Sequence, residues 1–386
     1  MKFQVAKQDL EKALKAVGNS LSGAPDLSGH FLFRHLPNAG DRIEIRTYSG
    51  RLYSGAPCVA QVEGDDASFT IEGSRLKSLL GVIDDCALDF DFDGTVVTLN
   101  VPGLGAQTFE SLDAEAFPHW DATLAKAKTT SKMPVGRLVS ALTYCRPFIS
   151  VKENEAPHLS VCEVHEGVLG ASRQDEGAGV YLAVPLLKDS TLRIQVKDLN
   201  AVLAFLVDAE GEVEVKETEK YAFFLTSDGS IFGSSRYLAE YPSTKIPPDG
   251  DQHWWKINVA RALKALPFLK SGSDKENVRV RLTRPDPDGP IMFQMLSKTG
   301  RMTSVPVPCI ESGSQDDAQA LPPNGFSMGY NPLLKLLELH RDQENITLGL
   351  NRRGNTAGYL KVVESKFGNN ADSDKYVTVL IWLQGV

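Results

Sequence analysis

The stretch Ala141-Leu-Thr-Tyr-Cys-Arg-Pro147-Phe-Ile-Ser150 has a close counterpart later in the chain, Ala262-Leu-Lys-Ala-Leu-Pro267-Phe-Leu-Lys-Ser271. A second pair of similar segments is spaced in much the same way, Ala114-Glu-Ala-Phe-Pro118 and Leu238-Ala-Glu-Tyr-Pro242. Both spacings exceed a hundred residues, which excludes the short repeats of solenoid proteins. The sequence therefore predicts a few large homologous domains.

Segments with helical periodicity alternate with segments of strand periodicity around these similar segments, in an order that recurs three times. Apolar residues three and four apart predict helices at 9–21, 75–84, 135–146, 197–207, 258–269 and 332–340. Runs typical of strands occupy 31–36, 42–48, 57–62, 87–92, 96–101, 109–112, 158–163, 167–171, 179–185, 213–216, 222–226, 231–235, 278–283, 291–297, 304–309, 346–350, 358–363 and 376–383. Ser74 and Asn331 are expected to cap two of the helices, with Pro332 at a first helical position.

The predicted fold class is α+β, with three repeated domains that each pack two helices on antiparallel sheet. We place these domains at residues 1–125, 126–248 and 249–386. A chain of 386 residues is too long for one typical core, which agrees with this division.

Charge and composition narrow the range of possible functions. The chain is 42% hydrophobic and 23% charged, and its formal net charge is -8. Such a balance is ordinary for a globular protein, and the negative total argues against a uniformly basic coat for nucleic acid. The negative net charge is still compatible with a protein that is acidic on its outer surface and basic on one inward face.

The cysteines and the apolar segments bear on the compartment. Five cysteines are widely spread, without a CxxC pair, as expected of reduced thiols. No apolar run approaches the length that spans a bilayer, and the first residues lack an apolar signal stretch. We expect a cytoplasmic protein with no membrane partner.

Several kinds of reactive or metal site are disfavoured by spacing. Asp89-Phe-Asp-Phe-Asp93-Gly94 imitates the start of a calcium loop, but Asn100 stands where its bidentate acid should be, and Asp93-Gly94 predicts a hairpin instead. The sequence also lacks a phosphate loop of the GxxxxGK[ST] type, an HExxH pair and a GxSxG elbow. We therefore expect no metal, no cofactor and no catalytic residues.

Short motifs in matching order along almost the whole chain resemble bacterial DNA polymerase III beta subunits, the sliding clamps. The resemblance rests on Met1-Lys-Phe-Gln-Val5, Phe117-Pro-His-Trp-Asp121, Tyr181-Leu-Ala-Val184, Tyr241-Pro242, Lys245-Ile-Pro247 and Tyr376-Val-Thr-Val-Leu-Ile-Trp-Leu-Gln384. It implies a ring-forming DNA clamp fold and a non-enzymatic processivity factor in DNA replication. It also implies a homodimer with helices inside and sheets outside.

In such a ring, basic helix residues face the phosphates of double-stranded DNA without reading its sequence. The resemblance then implies DNA contacts by Lys12, Lys15, Arg75, Lys77, Arg137, Arg146, Lys197, Arg261, Lys264 and Lys335. For any one of them, simple solvation of an exposed helix face explains the charge equally well. Their recurrence on nearly every predicted helix is what favours DNA.

The family also binds short linear peptides of DNA polymerases, clamp loaders and repair proteins in an apolar cleft. The matching positions here are Leu159, Gly179, Leu182, Pro242, Lys245, Ile246, Val379, Ile381, Trp382 and Leu383. Strand alternation alone would place Leu182, Val379 and Leu383 in a core, so Trp382 is the favoured exposed anchor.

This chain departs from the family pattern at two places in the cleft. Residues 171–181 are longer than the usual turn and lack its histidine, and Leu380 stands near a position that is usually proline. These changes leave the shape of the cleft open.

Two alternatives remain from the sequence. The first is a clamp-like interaction scaffold that does not encircle DNA. The second is an α+β hydrolase or nuclease that uses scattered carboxylates such as Asp84, Asp85 and Glu110, although no clustered motif supports it.

Overall fold

A computed structural model describes residues 1–35, 41–64, 67–151, 160–173, 178–238, 253–273, 278–297, 299–314, 325–353, 357–362 and 377–384. Contacts divide the chain into two compact units. Unit 1 comprises Met1–Ser140 and Leu192–Leu238, and unit 2 comprises Ala141–Thr191 and Ala239–Val386. The three-domain boundaries stay a prediction.

The first part of the chain, up to residue 145, contains ten strands and four α-helices among its described residues. They are β1 Lys2–Ala6, α1 Lys7–Val17, β2 His30–His35, β3 Arg42–Tyr48, β4 Leu52–Val59, β5 Gln61–Glu63, β6 Ser68–Glu72, α2 Gly73–Leu80, β7 Ala87–Phe92, β8 Val96–Val101, β9 Gly105–Glu110, α3 Asp121–Lys126, β10 Lys128–Pro134 and α4 Val135–Cys145.

The later elements follow the same mixture of strand and helix. They are β11 Val161–His165, β12 Val168–Arg173, β13 Ala178–Ala183, β14 Arg193–Gln195, α5 Val196–Leu206, β15 Glu212–Glu217, β16 Tyr221–Thr226, β17 Ile231–Ser235, β18 His253–Asn258, α6 Val259–Ser271, β19 Arg279–Thr283, β20 Ile291–Leu296, β21 Met302–Val307, β22 Cys309–Ser314, β23 Phe326–Gly329, α7 Tyr330–Leu339, β24 Asn345–Arg353, β25 Ala357–Val362 and β26 Val377–Gln384.

Each of the six longer helices follows a strand without an intervening residue, in the pairs β1–α1, β6–α2, β10–α4, β14–α5, β18–α6 and β23–α7. At Ala6, Gln195 and Gly329 the residue before the helix has extended backbone angles and makes no side-chain cap. At these three junctions the backbone angles change from extended to helical after a single residue. No separate turn segment therefore marks the junction in the sequence.

This junction explains why two predicted caps were wrong. Helix α2 begins at Gly73, and Ser74 inside it donates its hydroxyl hydrogen to the Glu72 carboxylate. A Cβ at Gly73 would lie 2.4 Å from Leu21 Cδ2, so close packing rather than a cap residue fixes this helix start. Helix α7 begins at Tyr330, which places Asn331 and Pro332 at its second and third positions.

Unit 1 contains two antiparallel sheets. One has the strand order β5-β1-β7-β8-β9, and the other has the order β10-β15-β16-β17-β4-β3-β2-β6. The predicted hairpin at Asp93-Gly94 is confirmed, because β7 pairs with β8 and Gly94 has a φ of +112°. The Asp93 carboxylate accepts hydrogen bonds from the amides of Thr95 and Val96 at 2.9 and 2.8 Å, which close the turn.

The sheet of unit 2 runs in the order β11-β12-β13-β26-β23-β19-β20-β21. Strand β26 also pairs with β25, which continues through β24 and β18 to β22. The C-terminal strand therefore joins two arrays of strands in this unit.

The core of unit 1 is aromatic. Phe3 lies 4.7 Å from Phe90 and Phe33 lies 5.1 Å from Phe69, measured between ring centroids. Helix α1 packs onto this core through Leu10, Ala13, Leu14 and Val17. The helix predicted at 9–21 is confirmed, although it begins at Lys7 and ends at Val17.

A second core cluster in unit 1 centres on Trp120 and includes Leu32, Phe117 and Phe223. The Arg46 guanidinium lies 4.3 Å from the Trp120 ring centroid and is itself 1% exposed. It donates to Asp121 Oδ1 and Oδ2 at 2.5 and 2.8 Å and to Glu44 Oε2 at 2.8 Å. Hydrogen bonds from Arg46 hold the pKa of the Asp121 carboxyl well below its ordinary value.

Candidate nucleic-acid interface and binding cleft

The two lysines of α1 lie on its exposed face. Lys12 and Lys15 are exposed, opposite the buried leucines that face the sheet. Lys15 pairs with Asp208 at 2.7 Å, and both side chains are well exposed, so this pair contributes little to stability. Part of the α1 charge is thus offset by an acid that stands far away in the sequence.

The two cations of α2 are also exposed, and each lies over an aromatic ring. Arg75 Cζ is 4.8 Å from the Phe109 ring centroid, and Lys77 Nζ is 5.6 Å from that of Phe31. Desolvation by burial lowers the pKa of Lys77. Among the described residues, neither cation has a carboxylate within 4.0 Å.

The remaining predicted DNA contacts differ in exposure. Four are exposed: Arg146 after α4, Lys197 on α5, and Arg261 and Lys264 on α6. Arg137 and Lys335 are half-buried and have partners of their own. On the described helices, eight of the ten predicted contacts therefore present their charge to solvent.

The predicted peptide cleft brings β13 and β26 side by side. Their antiparallel register sets Gly179 opposite Leu380 and Leu182 opposite Val377. From Ile381 onward β26 pairs with β25, with Trp382 opposite Tyr359. Leu159, Pro242, Lys245 and Ile246 lie outside the described residues, and Val379, Ile381, Trp382 and Leu383 are described only through their backbone.

The β13 residues are tightly packed. Leu182 is 2% exposed, so its side chain belongs to the core. A Cβ added at Gly179 would lie 3.1 Å from the Ala171 carbonyl oxygen and 3.3 Å from the Tyr181 ring. Position 179 is therefore too crowded for a side chain without a shift of its neighbours, which explains the glycine there.

Comparison with known proteins decides the fold. No protein-family model matches the sequence, and no curated protein matches it significantly. Solved structures match it over its whole length. The DNA polymerase III subunit beta from Pseudomonas aeruginosa has a TM-score of 0.77 at 14% identity, with 100% of both chains covered. The chain has the sliding-clamp fold.

Two further sliding-clamp structures agree with this assignment. The DNA polymerase sliding clamp from Bacillus subtilis has a TM-score of 0.77 at 15% identity, covering 100% of this chain and 99% of that one. The DNA polymerase III beta chain from Streptococcus pneumoniae has a TM-score of 0.77 at 17% identity, with both chains fully covered. Full coverage at such low identity makes this chain a divergent example of the clamp fold.

Leu380 shows how this clamp fold differs from the expected pattern. The residue lies within the β13–β26 ladder, between the pairs Ala178–Ile381 and Val180–Val379. Proline has no backbone N–H to give to a ladder and is confined to strand edges and bulges. Leucine at this position is compatible with unbroken pairing along β26.

Other kinds of site find no support in the part of the chain that the structure describes. No described helix is long and apolar enough to cross a bilayer. No group of three metal-ligating side chains comes together among the described residues. The five cysteines are free thiols.

Proposed function

We propose that this protein is a DNA sliding clamp, a non-enzymatic and cytoplasmic processivity factor that encircles duplex DNA and tethers a polymerase. The observation that carries this proposal is the agreement in fold with solved sliding clamps over the full length of both chains. A chain that had kept only part of this architecture would not be covered from end to end.

The charge distribution supports duplex DNA as the partner. The chain has a net charge of -8, yet eight of the ten candidate contacts are exposed cations on or next to helices. Lysine and arginine side chains that meet only phosphates bind without regard to sequence, and their attraction weakens with salt. Such contacts let a ring slide.

The open edges of the sheets support a homodimer. Strand β9 of unit 1 and strand β21 of unit 2 each end their sheet. Unpaired strand edges favour pairing with another chain. If β9 of one chain met β21 of a second copy, the contact would be heterologous and head-to-tail, and such contacts can close as a ring. Beside these edges, Leu104 is 72% exposed and Phe268 on α6 is 65% exposed.

A decisive experiment uses DNA topology. The protein is loaded onto nicked circular plasmid by a cognate loader, separated from free protein by gel filtration, and the plasmid is then linearised. An encircling ring should stay with the circle and leave the linear form within minutes. Equal retention on both forms, or none on the circle, would favour the scaffold that does not encircle DNA.

Reversing the charge of Arg75, Lys197 and Lys264 to glutamate should weaken DNA retention by roughly tenfold or more at moderate salt, because three phosphate contacts become repulsive. The slope of log affinity against log salt should also fall by about one per lost contact. Retention measured across a salt series gives both numbers.

The matched control reverses Lys128, Lys188 and Lys220, which are exposed and lie outside the helices. It changes the net charge equally, so a loss shared by both triple variants would mean general charge rather than a DNA-facing helix surface.

The predicted cleft beside β13 and β26 is proposed to take short linear peptides of the polymerase and the clamp loader. Trp382→Ala should lower polymerase stimulation by roughly tenfold, since aromatic anchors dominate such peptide sites. Peptide affinity by fluorescence anisotropy and polymerase processivity both measure it. Normal stimulation by Trp382→Ala would remove Trp382 from the cleft.

The test of polymerase stimulation uses a point substitution and not a truncation of β26. Gln384 pairs with Ser327 of β23 and Ala357 of β25, so truncating the strand would disturb two neighbouring strands. The point substitution keeps these backbone pairs, and an unchanged oligomer for Trp382→Ala would separate peptide binding from folding.

A further inference from the structure

A cavity of about 400 Å³ lies in unit 1 between α1 and the end of α5. Strand β4 and the turn that joins β16 to β17 form much of the rest of its wall. Its charged lining consists of three cations and three acids: Lys12, Lys15, Arg42, Asp9, Asp208 and Asp228. Because these charges balance one another, the cavity offers no excess charge to a ligand. The acids are partners for the cations of the protein itself.

One of these acids touches a candidate DNA contact. Lys15 Nζ lies 2.7 Å from Asp208 Oδ2, and the two side chains are 72% and 58% exposed. An exposed pair of this kind contributes little to stability, so a competing anion can open it at small cost. What the pair changes is the charge that Lys15 presents to solvent.

The backbone at the end of α5 sets the position of Asp208. The Val207 amide donates to the Leu203 carbonyl oxygen at 2.9 Å. The Ala209 amide donates to the Leu206 carbonyl oxygen at 3.1 Å. These two bonds flank Asp208 and hold it just beyond the last helical residue. The helix dipole disfavours a carboxylate at a C-terminal end, so the stability of α5 does not explain an acid here.

A second acid adds to the negative charge beside α1. Asp228 lies in the β16–β17 turn, where its carboxylate accepts hydrogen bonds from the Thr226 hydroxyl at 2.6 Å and the Ser230 amide at 3.0 Å. Burial raises the pKa of Asp228, but these hydrogen bonds and the charge of Lys12 outweigh it and lower the pKa below its ordinary value. The carboxylate is therefore ionised at neutral pH and fixed in its turn.

Lys15 differs from the other candidate DNA contacts in having such a partner. Of the eight exposed candidates, and within the part of the chain that the structure describes, Lys15 alone has a carboxylate within 4.0 Å. The acid comes from the segment after α5, which the fold brings to α1. A general offset of helix charge would not single out one lysine.

We propose that Asp208 is an internal competitor of phosphate for Lys15, and that it thereby limits how firmly α1 holds duplex DNA. A phosphate that approaches Lys15 must displace or share this partner, so its contact gains less than a contact with an unpaired lysine would. A weaker hold at one helix favours sliding over static binding. The assignment rests on the proposed function, because it takes duplex DNA as the ligand of α1.

Binding of the full chain to a short fluorescent duplex, measured by anisotropy across a salt series, tests the competition. Asp208→Asn keeps the size of the side chain and should tighten binding by roughly fivefold at low salt, since a negative charge next to the contact is removed. The slope of log affinity against log salt should become steeper by about one, as Lys15 gains a phosphate. In a Lys15→Ala background the same substitution should change the affinity by less than about twofold.

Asp113→Asn is the matched control. Asp113 is exposed in unit 1, and asparagine can keep the hydrogen bond that its side chain accepts from the Glu115 amide. The net charge changes equally, and the affinity should change by less than about twofold. An equal gain in the two single variants, no gain in Asp208→Asn, or a gain that persists without Lys15 would overturn the assignment.

The plasmid experiment separates this assignment from the proposed function. Normal retention on the circle with no gain in Asp208→Asn would remove the competition alone. A gain through Lys15 on short duplex, with equal retention on circular and linear plasmid, would remove the encircling ring alone. A chain that binds no short duplex even at the lowest salt would overturn the competition and leave the ring to the plasmid experiment.

Discussion

Phe268→Asp is expected to convert a dimer into a monomer. Phe268 is 65% exposed on α6 of the isolated chain, and burying a phenylalanine contributes roughly 1.5–3 kcal/mol. A buried and unpaired aspartate adds a further cost. Together the two effects should raise the dimer dissociation constant by roughly a hundredfold or more, measured by sedimentation equilibrium.

The control for this substitution is Val207→Asp. Val207 follows α5 and is 64% exposed, and the strands that α5 packs against are β14 and β17. It should leave the dissociation constant unchanged. A dimer of normal affinity in Phe268→Asp would exclude the α6 surface from the interface, and loss of dimer in both variants would indicate general destabilisation.

Trp120→Ala is expected to destabilise unit 1 by about 3–5 kcal/mol, the usual cost of removing a large buried aromatic ring. Trp120 is 2% exposed and lies 5.4 Å from the Tyr53 ring in an edge-to-face contact. The substitution also uncovers the Arg46 guanidinium, which lies 4.3 Å from the Trp120 ring centroid in a residue that is 1% exposed. Chemical denaturation monitored by circular dichroism measures the loss.

Trp120→Phe keeps an aromatic ring and should cost clearly less than the alanine variant, because the residual cavity is smaller. Equal losses in the two variants would mean that the size of the indole ring matters rather than the presence of any aromatic ring. No loss in either would show that the cluster around Trp120 does not stabilise the unit.

The helices were accessible from sequence because their apolar stripes are complete. The segment predicted at 135–146 is α4 at Val135–Cys145, and the segment predicted at 197–207 is α5 at Val196–Leu206. Strand-like runs bounded by turn residues could also be predicted from the sequence. The predicted bounds agree with the structure for β3, β7, β8 and β17. In these elements the local pattern and the tertiary burial agree.

The strands that lead into helices were missed for a physical reason. Sequence reading locates element ends by glycine, proline and capping side chains, and β1 and β14 pass into helices with none of these residues at the junction. At Ala6 and Gln195 the change is carried by backbone angles alone. Burial still alternates along β18, but the run is short and continuous with the helix.

The candidate site was predictable in its residue types and not in its partners. Helical spacing places Lys12, Lys15 and Arg75 on exposed faces. The Asp208 partner of Lys15 and the Phe109 ring under Arg75 come from distant segments. Only the folded chain brings such groups together, so these partners have no signature in the sequence.

Strand β26 has a consequence for how the protein is made. It fills the gap between β13 and the strands β23 and β25, and every other described element precedes it in the chain. During synthesis, β13 therefore waits on the ribosome with an open edge while the intervening segments emerge. An open edge of this kind favours pairing with other chains, so we expect unit 2 to be most prone to aggregation before β26 has been synthesised.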